Sequence, residues 1–294
     1  MTRRVLLLVA ASLAACTPPP SDVRFVVGEP YALGGVWSYP REDYALSESG
    51  LAVALPDAAR GRRTVNGEVH DPAALVAAHR TLQLPAVVLV WNLDTGREIR
   101  VRVNDRGPSE PGRVIGLSRR AATLLGVALG EPARVRIAVD PDLSRAVAEG
   151  LPGAEGPRLA MAAAPVAVVE REQLAPPPGA RAVGLRPEPV RRTPVLAEAS
   201  GPAPSRRASV HLPEDVAQRG VAPSRLVVEA GTFFRCDLAE RRAVALGGRA
   251  EAIGAGRQPQ HRVRLGPFAT VGEADRALDS ALRRGIPDAK IVLD

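Results

Sequence analysis

The sequence predicts a mainly β protein with an added α/β part: a small closed β barrel, a disordered linker and a compact C-terminal domain. Between residues 50 and 140, short runs rich in β-branched residues are separated by turn residues, a pattern typical of a small barrel. A Pro/Ala-rich stretch with few aromatic residues follows. After it, strand-like and helix-like segments alternate. We therefore expect a barrel domain over residues 25–140, a flexible linker over 141–223 and a small domain over 224–294.

Within the barrel region, individual elements can be assigned from the side-chain pattern. Asp94–Thr95–Gly96 predicts a hairpin turn between two strands. Leu117 to Leu125 predicts a helix capped by Ser118. Four runs predict strands: Ala52–Leu55, Ala86–Trp91, Ile99–Val103 and Val135–Val139.

Two acids and a histidine stand beside turns in this region. Asp105 closes the alternating run 98–104 and is followed closely by a Gly-Pro turn. Glu68 lies in an Asn-Gly-Glu turn, and His79 ends an apolar stretch. Carboxyl and imidazole groups are the usual acids and bases of enzymes. An aspartate in Asn-Asp-Arg-Gly often only caps a turn, so the spacing alone leaves both interpretations open.

The block from Arg62 to Gly126 resembles the double-psi β-barrel domain of rare lipoprotein A (RlpA), a bacterial lytic transglycosylase family. The resemblance runs through four motifs in order: the Asn-Gly-Glu turn, Ala-Ala-His, Asn-Asp-Arg-Gly-Pro and the helix start Leu-Ser-Arg-Arg-Ala-Ala. It implies that Glu68, His79 and Asp105 occupy the family's active-site positions. Neighbouring residues of the same motifs are expected to contact the glycan: Asn66, Asn104 and Arg106.

The resemblance also implies an activity, that of a lyase. The enzyme would cleave the bond between N-acetylmuramic acid and N-acetylglucosamine in peptide-free glycan strands at the division septum, leaving 1,6-anhydro ends. We expect Asp105 and Glu68 to form the acid/base pair, without assigning which is the acid, because two nearby carboxyls push their pKa values apart. His79 would be an orienting or hydrogen-bonding group. We expect neither a cofactor nor a metal, since the sequence shows no P-loop, no dinucleotide fingerprint and no cysteine–histidine cluster.

Two positions depart from the family pattern. The usual Ala-Ser-Trp-Tyr-Gly segment is absent, and Val53, Ala54 and Leu55 stand there instead. The usual acid of Ile-Asp-Leu-Ser is replaced by Gly116. These changes leave two alternatives open, a septal protein that binds peptidoglycan without cleaving it and an expansin-like module that loosens polymer packing. The aromatic residues of the arm before the barrel could stack on sugars or pin the arm to its domain: Tyr31, Trp37 and Tyr39.

The N-terminus predicts a lipid anchor in the cell envelope. A basic start and a short apolar run read as a signal peptide, because the run is far shorter than the ~20 residues that span a bilayer. Residues 13–16, Leu-Ala-Ala-Cys, resemble a bacterial lipobox, which makes Cys16 the lipidated residue and residues 1–16 the lipoprotein signal. Thr17 instead of aspartate indicates sorting to the outer membrane, facing the periplasm. In this compartment, a net charge of +7 favours an anionic partner such as wall polymer or membrane, and not nucleic acid. Division proteins are further expected partners.

The C-terminal region resembles the SPOR domain, a septal peptidoglycan-binding module. Its strands and helices alternate as strand–helix–strand twice over, a split βαβ arrangement. The element Arg-Val-Arg-Leu-Gly-Pro-Phe carries the resemblance, which implies glycan binding on the sheet face by Arg262, Arg264 and Phe268. Cys236 is expected to be a small apolar residue of the core.

Overall fold

A computed structural model describes residues 23–154, 212–254 and 259–294 of the chain. The predicted lipobox and most of the predicted linker lie outside these residues. The barrel region contains eight strands: β1 (Tyr31–Leu33), β2 (Val36–Ser38), β3 (Ser47–Ala54), β4 (Val76–His79), β5 (Ala86–Asn92), β6 (Arg97–Asp105), β7 (Arg113–Leu117) and β8 (Ala133–Val139). It also contains a 3₁₀ turn (Asp57–Ala59) and two helices, α1 (Arg119–Leu125) and α2 (Pro141–Ala148).

Six of these strands close into a barrel. The order is β4-β7-β3-β8-β5-β6, and β6 pairs back with β4. The pairs β3–β7 and β4–β6 are parallel, whereas the other pairs are antiparallel. Alternate residues of every strand fill one apolar core, for example Val88, Val101 and Ile137. The predicted fold class, a β barrel followed by an α/β sheet, is confirmed.

Local sequence signals explain the elements that were predicted. The hairpin between β5 and β6 turns at Gly96, whose φ of 75° suits glycine, and the Asn92 side chain accepts from the Asp94 amide at 2.9 Å. Helix α1 begins after Ser118, whose hydroxyl accepts from the Ala121 amide at 3.2 Å, and ends at Gly126 in the left-handed region. Both the turn and the cap are therefore as expected.

Strands β4 and β7 complete the barrel but were not predicted. Strand β4 is short, fully buried and half alanine, a residue that favours helices over strands. It is a strand because β6 and β7 hydrogen-bond to its two sides. Pairing with distant strands thus overrides the local preference.

The C-terminal domain is a four-stranded antiparallel sheet with two helices on one face. The elements are β10 (Leu226–Phe233), α3 (Cys236–Leu246), β11 (Arg249–Ile253), β12 (Gln260–Phe268), α4 (Val271–Arg283) and β13 (Lys290–Leu293). The strand order is β11-β12-β10-β13, which is the split βαβ arrangement. Strand β11 was not predicted, because alternating charged and small residues give it little β-propensity.

Two parts of the predicted linker pack against the barrel, so the expectation of a flexible chain does not hold for them. Helix α2 buries Val147, which meets Val87 of β5 and Leu212 in a small apolar cluster. Residues 217–218 form a short strand, β9 (Ala217–Gln218), on the edge of β6. The Arg219 guanidinium binds Glu98 at 2.8 Å and lies 5.6 Å from the centre of the Trp91 ring. Residues 155–211 lie outside the described residues, where the linker stays a prediction.

Cys236 is exposed at the start of α3, where its thiol donates to Glu240 at 3.3 Å, so the expectation of a core cysteine was wrong. The Glu240 hydrogen bond raises the pKa of this thiol.

Among the described residues, every helix is too short or too polar to cross a membrane.

Leu51 belongs to β3 of the barrel, yet its fully buried side chain packs in the core of the C-terminal sheet. We therefore expect Leu51→Ala to lower the free energy of unfolding by about 2–5 kcal/mol, as large-to-small core changes do. Urea unfolding of the full chain measures the change. Leu129→Ala removes an exposed leucine and should change stability by less than about 0.5 kcal/mol. Equal effects of the two variants would contradict the assigned core.

Candidate active site

Glu68 lies in a tight turn, residues 64–68, and both of its carboxylate oxygens are occupied. The turn closes through the Thr64 amide, which donates to the Glu68 carbonyl at 2.8 Å. Oε1 accepts from Arg102 Nη2 at 2.7 Å and Nε at 2.9 Å, and from the Asn66 side-chain amide at 2.9 Å. Oε2 accepts from the Asn104 side-chain amide at 2.8 Å. Glu68 is thus held from three sides.

These contacts keep Glu68 ionised. Burial alone raises the pKa of its carboxyl group, since the side chain is only 17% exposed. The positive charge of Arg102 and the hydrogen bonds from Arg102, Asn104 and Asn66 outweigh burial and lower the pKa below its usual value. Glu68 is therefore a fixed anion at neutral pH and not a proton donor.

Asp105 ends strand β6 beside the same turn. Its Oδ1 accepts from the Arg106 amide at 2.8 Å and from the Val65 amide at 3.1 Å, and Val65 lies within the turn of Glu68. Within the described part of the chain, its second oxygen, Oδ2, accepts no hydrogen bond. The side chain is half-buried. The turn 64–68 therefore brings both predicted acids to one place, and only Asp105 keeps a free oxygen there.

The pairing of strands decides which way Asp105 points. Ala77 pairs with Val103, but Ala78 pairs with Asp105, so Asn104 is an extra residue in β6. Val103 and Ala77 face the barrel core. Because the extra residue shifts the alternation, Asp105 shares the outer face of the barrel with Ala78. The candidate site lies on this outer face, at the end of β6.

His79 is not in contact with either acid. It follows Ala78 on β4 and so points to the opposite side of the strand, where it is buried. Its Nδ1 accepts from the amides of Thr81 and Leu82 at 3.2 and 3.1 Å, which leaves the proton on Nε2, 3.0 Å from Oε1 of Glu48. The expectation that His79 orients the acids directly does not hold, because both ring nitrogens are used elsewhere.

The residues predicted to bind glycan beside the acids form hydrogen bonds within the protein. The buried Arg106 guanidinium donates to main-chain carbonyls: to Leu82 and Val27 over short contacts, and to His79 at 3.4 Å. Burial lowers the pKa of this arginine, and the neighbouring Tyr31 and Asp105 oppose that effect. Asn66 and Asn104 are buried and hold Glu68. The Asn66 amide and the Arg106 guanidinium are thus used within the protein, whereas contact of these three residues with a glycan stays a prediction.

Arg102 and Arg80 were not predicted to belong to the site, whereas Tyr31 was predicted either to stack on sugars or to pin the arm. Arg102 and Asn104 are two residues apart on β6, so their side chains lie on the same face of the strand. This spacing could have indicated that both contact Glu68. Arg80 donates to the carbonyls of Leu33 at 3.0 Å and Ser109 at 3.1 Å. It thereby ties the β1–β2 hairpin to the loop after Asp105. On this hairpin Tyr31 is half-buried and donates to the Arg80 carbonyl at 2.8 Å, which pins the arm.

The two departures from the family pattern meet in space. A Cβ atom placed on Gly116 would lie 2.6 Å from Cδ2 of Leu55 and 3.6 Å from Cβ of Pro108. An acid at position 116 therefore cannot coexist with Leu55 in its present place. Gly116 pairs with Ala78, which in turn pairs with Asp105, so Leu55 covers the wall next to the site.

In the C-terminal sheet, the three predicted glycan contacts are divided between two faces. Arg262 and Arg264 alternate along β12 with the buried Val263 and lie on the face without helices. Arg262 Nε is 3.3 Å from a Glu229 oxygen, and Arg264 Nη1 is 2.9 Å from Asp294 and 3.4 Å from Glu251. Phe268 instead packs against the hydrophobic core. Its ring therefore does not belong to the face with the two arginines.

No cluster of three or more His, Cys, Asp or Glu side chains suited to a metal ion occurs in residues 23–154, 212–254 and 259–294.

The lowered pKa of Glu68 makes stability depend on pH. A carboxyl group with a lowered folded-state pKa stabilises the fold above its unfolded pKa, near 4.5, and loses that contribution as the pH falls through the folded value. Glu68→Gln should therefore cost about 2–4 kcal/mol at pH 7, because it leaves Arg102 buried without its counter-ion. The difference from wild type should shrink toward pH 3.

Urea unfolding of the full chain at pH 7 and pH 3 measures this dependence. Glu131→Gln changes an exposed glutamate and serves as the control. A cost for Glu68→Gln that stays the same at both pH values would contradict an ionised Glu68.

Comparison with known proteins identifies the family. Residues 54–137 match a family model described as lytic transglycolase. The endolytic peptidoglycan transglycosylase RlpA of Pseudomonas aeruginosa strain PAO1 is 32% identical over 279 residues, which are 87% of this chain and 73% of that protein. RlpA of strain UCBPP-PA14 is 34% identical over 269 residues with the same coverage, and RlpA of Yersinia pestis is 56% identical over 81 residues, 28% of this chain and 22% of that protein. The chain therefore belongs to the RlpA family of endolytic peptidoglycan transglycosylases.

Proposed function

We propose that this protein is a lytic transglycosylase that cuts glycan strands of peptidoglycan between N-acetylmuramic acid and N-acetylglucosamine, with Asp105 as its general acid and base. The observation that carries the proposal is the difference between the two carboxylates. Every oxygen of Glu68 is occupied and its pKa is lowered, whereas within the described residues Asp105 keeps one oxygen that accepts no hydrogen bond. The names of the relatives supply the substrate class.

The reaction needs a single group that first gives and then takes a proton. Protonated Asp105 donates to the glycosidic oxygen as the bond from the anomeric carbon to that oxygen breaks. The C6 hydroxyl of the muramic residue then bonds to the same anomeric carbon and gives its proton back to Asp105. The products are a 1,6-anhydro end and a free hydroxyl on the glucosamine residue. No water is consumed, which distinguishes the reaction from hydrolysis.

Glu68 acts in this proposal as a positioning residue. Its bonds to Arg102, Asn66 and Asn104 fix the turn 64–68. The turn presents the Val65 amide to Oδ1 of Asp105, as the Arg106 amide also does. With Oδ1 held by two donors, Oδ2 is left as the oxygen that meets the substrate.

Lipid anchoring and septal action extend the same proposal. Cys16 lies outside the described residues, and its lipobox supports attachment to the outer membrane on the periplasmic side. The C-terminal sheet would hold peptide-free glycan on its open face, which carries Arg262 and Arg264 beside Glu229, Glu251 and Asp294. Such a module would bring the barrel to septal wall where peptides have been removed.

One observation favours a second candidate, a glycan-binding protein that does not cleave. Leu55 covers Gly116 at a position where the family pattern has an acid. If that acid were needed for turnover, the barrel would only bind. The two candidates differ in their products, because the binder forms none.

We expect Asp105→Asn to lower the rate of anhydro-end formation by about 10²–10⁴-fold, the usual worth of a general acid or base. Asparagine keeps the shape and the acceptor for the Val65 and Arg106 amides but carries no transferable proton. Mass spectrometry of peptide-free glycan incubated with the full chain measures the products. The control is Asp142→Asn, which changes an exposed aspartate on α2. Wild-type rates in the Asp105 variant would contradict the assignment, and absence of product with wild type would favour the binder.

We further expect Arg264→Gln to weaken binding of the full chain to peptide-free glycan, since it removes a positive charge from the sheet face and leaves Asp294 without its ion-pair partner beside an anionic polymer. Glu229→Gln should strengthen binding, because it frees Arg262. Each effect should be about fivefold in Kd, the scale of ~1 kcal/mol for partly exposed charges. Sedimentation with denuded sacculi measures binding, and Glu240→Gln on α3, which lies on the helix side of the sheet, is the control. Unchanged binding in both sheet variants would remove this face from the proposal.

A further inference from the structure

A partly buried ion pair joins the C-terminal domain to the barrel just downstream of Asp105. Arg113, the first residue of β7, binds both carboxylate oxygens of Asp275 on α4, at 2.7 and 2.9 Å. The Arg113 side chain is only 10% exposed. Burial lowers the pKa of Arg113, but the hydrogen bonds and charge of Asp275 outweigh it and raise the pKa. A bidentate, shielded pair of this kind fixes orientation as well as distance.

Apolar packing beside this pair requires a glycine in the loop. A Cβ atom on Gly112 would lie 2.7 Å from Cδ2 of Leu278 and 2.9 Å from Cδ1 of Ile291. Both of those side chains belong to the C-terminal core and are buried. The loop 106–112, which begins directly after Asp105, therefore ends pressed against α4 and β13.

A second route leads from β13 to the Arg106 side chain. The Ser49 hydroxyl donates to the Leu293 carbonyl at 3.1 Å and lies 3.3 Å from the Leu293 amide. Glu48, the residue before Ser49, hydrogen-bonds to His79. Burial raises the pKa of Glu48, but His79, Lys290 and Arg41 outweigh burial and lower the pKa below its usual value. His79 in turn holds the Leu82 amide, and the Leu82 carbonyl accepts from the Arg106 side chain.

We propose that the C-terminal domain is a positioning partner of the catalytic barrel, and that its docking through Arg113 and Asp275 sets the loop 106–112 and with it the orientation of Asp105. Arg113 is the positioning residue: it touches no substrate and acts through the loop. Both routes from the docked domain end at Arg106, whose amide holds Oδ1 of Asp105. Loss of docking should thus loosen Asp105 and leave glycan capture by the sheet face intact.

The test compares three variants of the full chain. Asp275→Asn removes the nearer of the two carboxylates that face Arg113, the other being Glu110 at 3.6 Å, and the double variant Arg113→Asp with Asp275→Arg restores an ion pair in reverse. Asp279→Asn is the matched control, because it removes an exposed aspartate one turn further along α4. The first readout is hydrogen exchange of the amides in residues 106–117, which needs no activity. The second is formation of anhydro ends on soluble peptide-free glycan, separated into kcat and KM.

We expect Asp275→Asn to speed exchange in residues 106–117 by about tenfold and to lower kcat by a similar factor with KM unchanged, the effect of losing one charged hydrogen-bonded pair. The reversed pair should recover most of both, and Asp279→Asn should change neither. Unchanged exchange in Asp275→Asn would overturn the proposal. A rise in KM with normal kcat would also overturn it, since it would assign the domain to capture alone. If wild type formed no anhydro ends, the proposed function would fail, and exchange alone would decide the docking.

Discussion

The candidate site depends on the buried ion pair between Arg102 and Glu68. Neither charge could remain in this place alone, because the side chains are only 9% and 17% exposed and an unpaired buried charge is costly. Two donors of Arg102 and the amides of Asn66 and Asn104 together satisfy both oxygens of Glu68. The turn 64–68 is thereby fixed, and through Val65 it fixes Asp105 as well. A general base or acid on a surface loop needs such support to keep its geometry.

The extra residue in β6 is the second constraint. Val101 and Val103 face the core, so strict alternation would bury Asp105 beneath the barrel as well. The irregularity at Asn104 turns Asp105 to the outer face instead and lets the Asn104 side chain reach Glu68. Bulges often re-aim a side chain next to active sites in this way. The barrel thus keeps its apolar interior and still presents a carboxylate.

These constraints explain what could be predicted from the sequence. Strands with β-branched runs, the hairpin at Gly96 and the cap at Ser118 follow from local propensity and were found. Strand β4 depends on partners far along the chain, and no local pattern marks it. Glu68 and Asp105 were singled out because each stands at a turn within a motif, and the structure places them beside the same turn.

The role of His79 could not be predicted, because adjacent residues on a strand point to opposite faces and only the register shows which one meets the acids. Arg102 was overlooked for a related reason, since an arginine in an alternating strand most often faces solvent.

The departures at Leu55 and Gly116 are best understood as one change. A Cβ atom at position 116 would lie 2.6 Å from Cδ2 of Leu55, so restoring the acid requires the end of the Leu55 side chain to move. Neither residue contributes a hydrogen bond to Glu68 or Asp105 in the described ranges. The acid/base geometry is therefore independent of the exchange, whereas the wall beside Ala78 becomes apolar. Under the proposed function, a wall of this kind would alter which sugar substituents fit next to Asp105, while the proposed proton transfer would keep its carboxyl group.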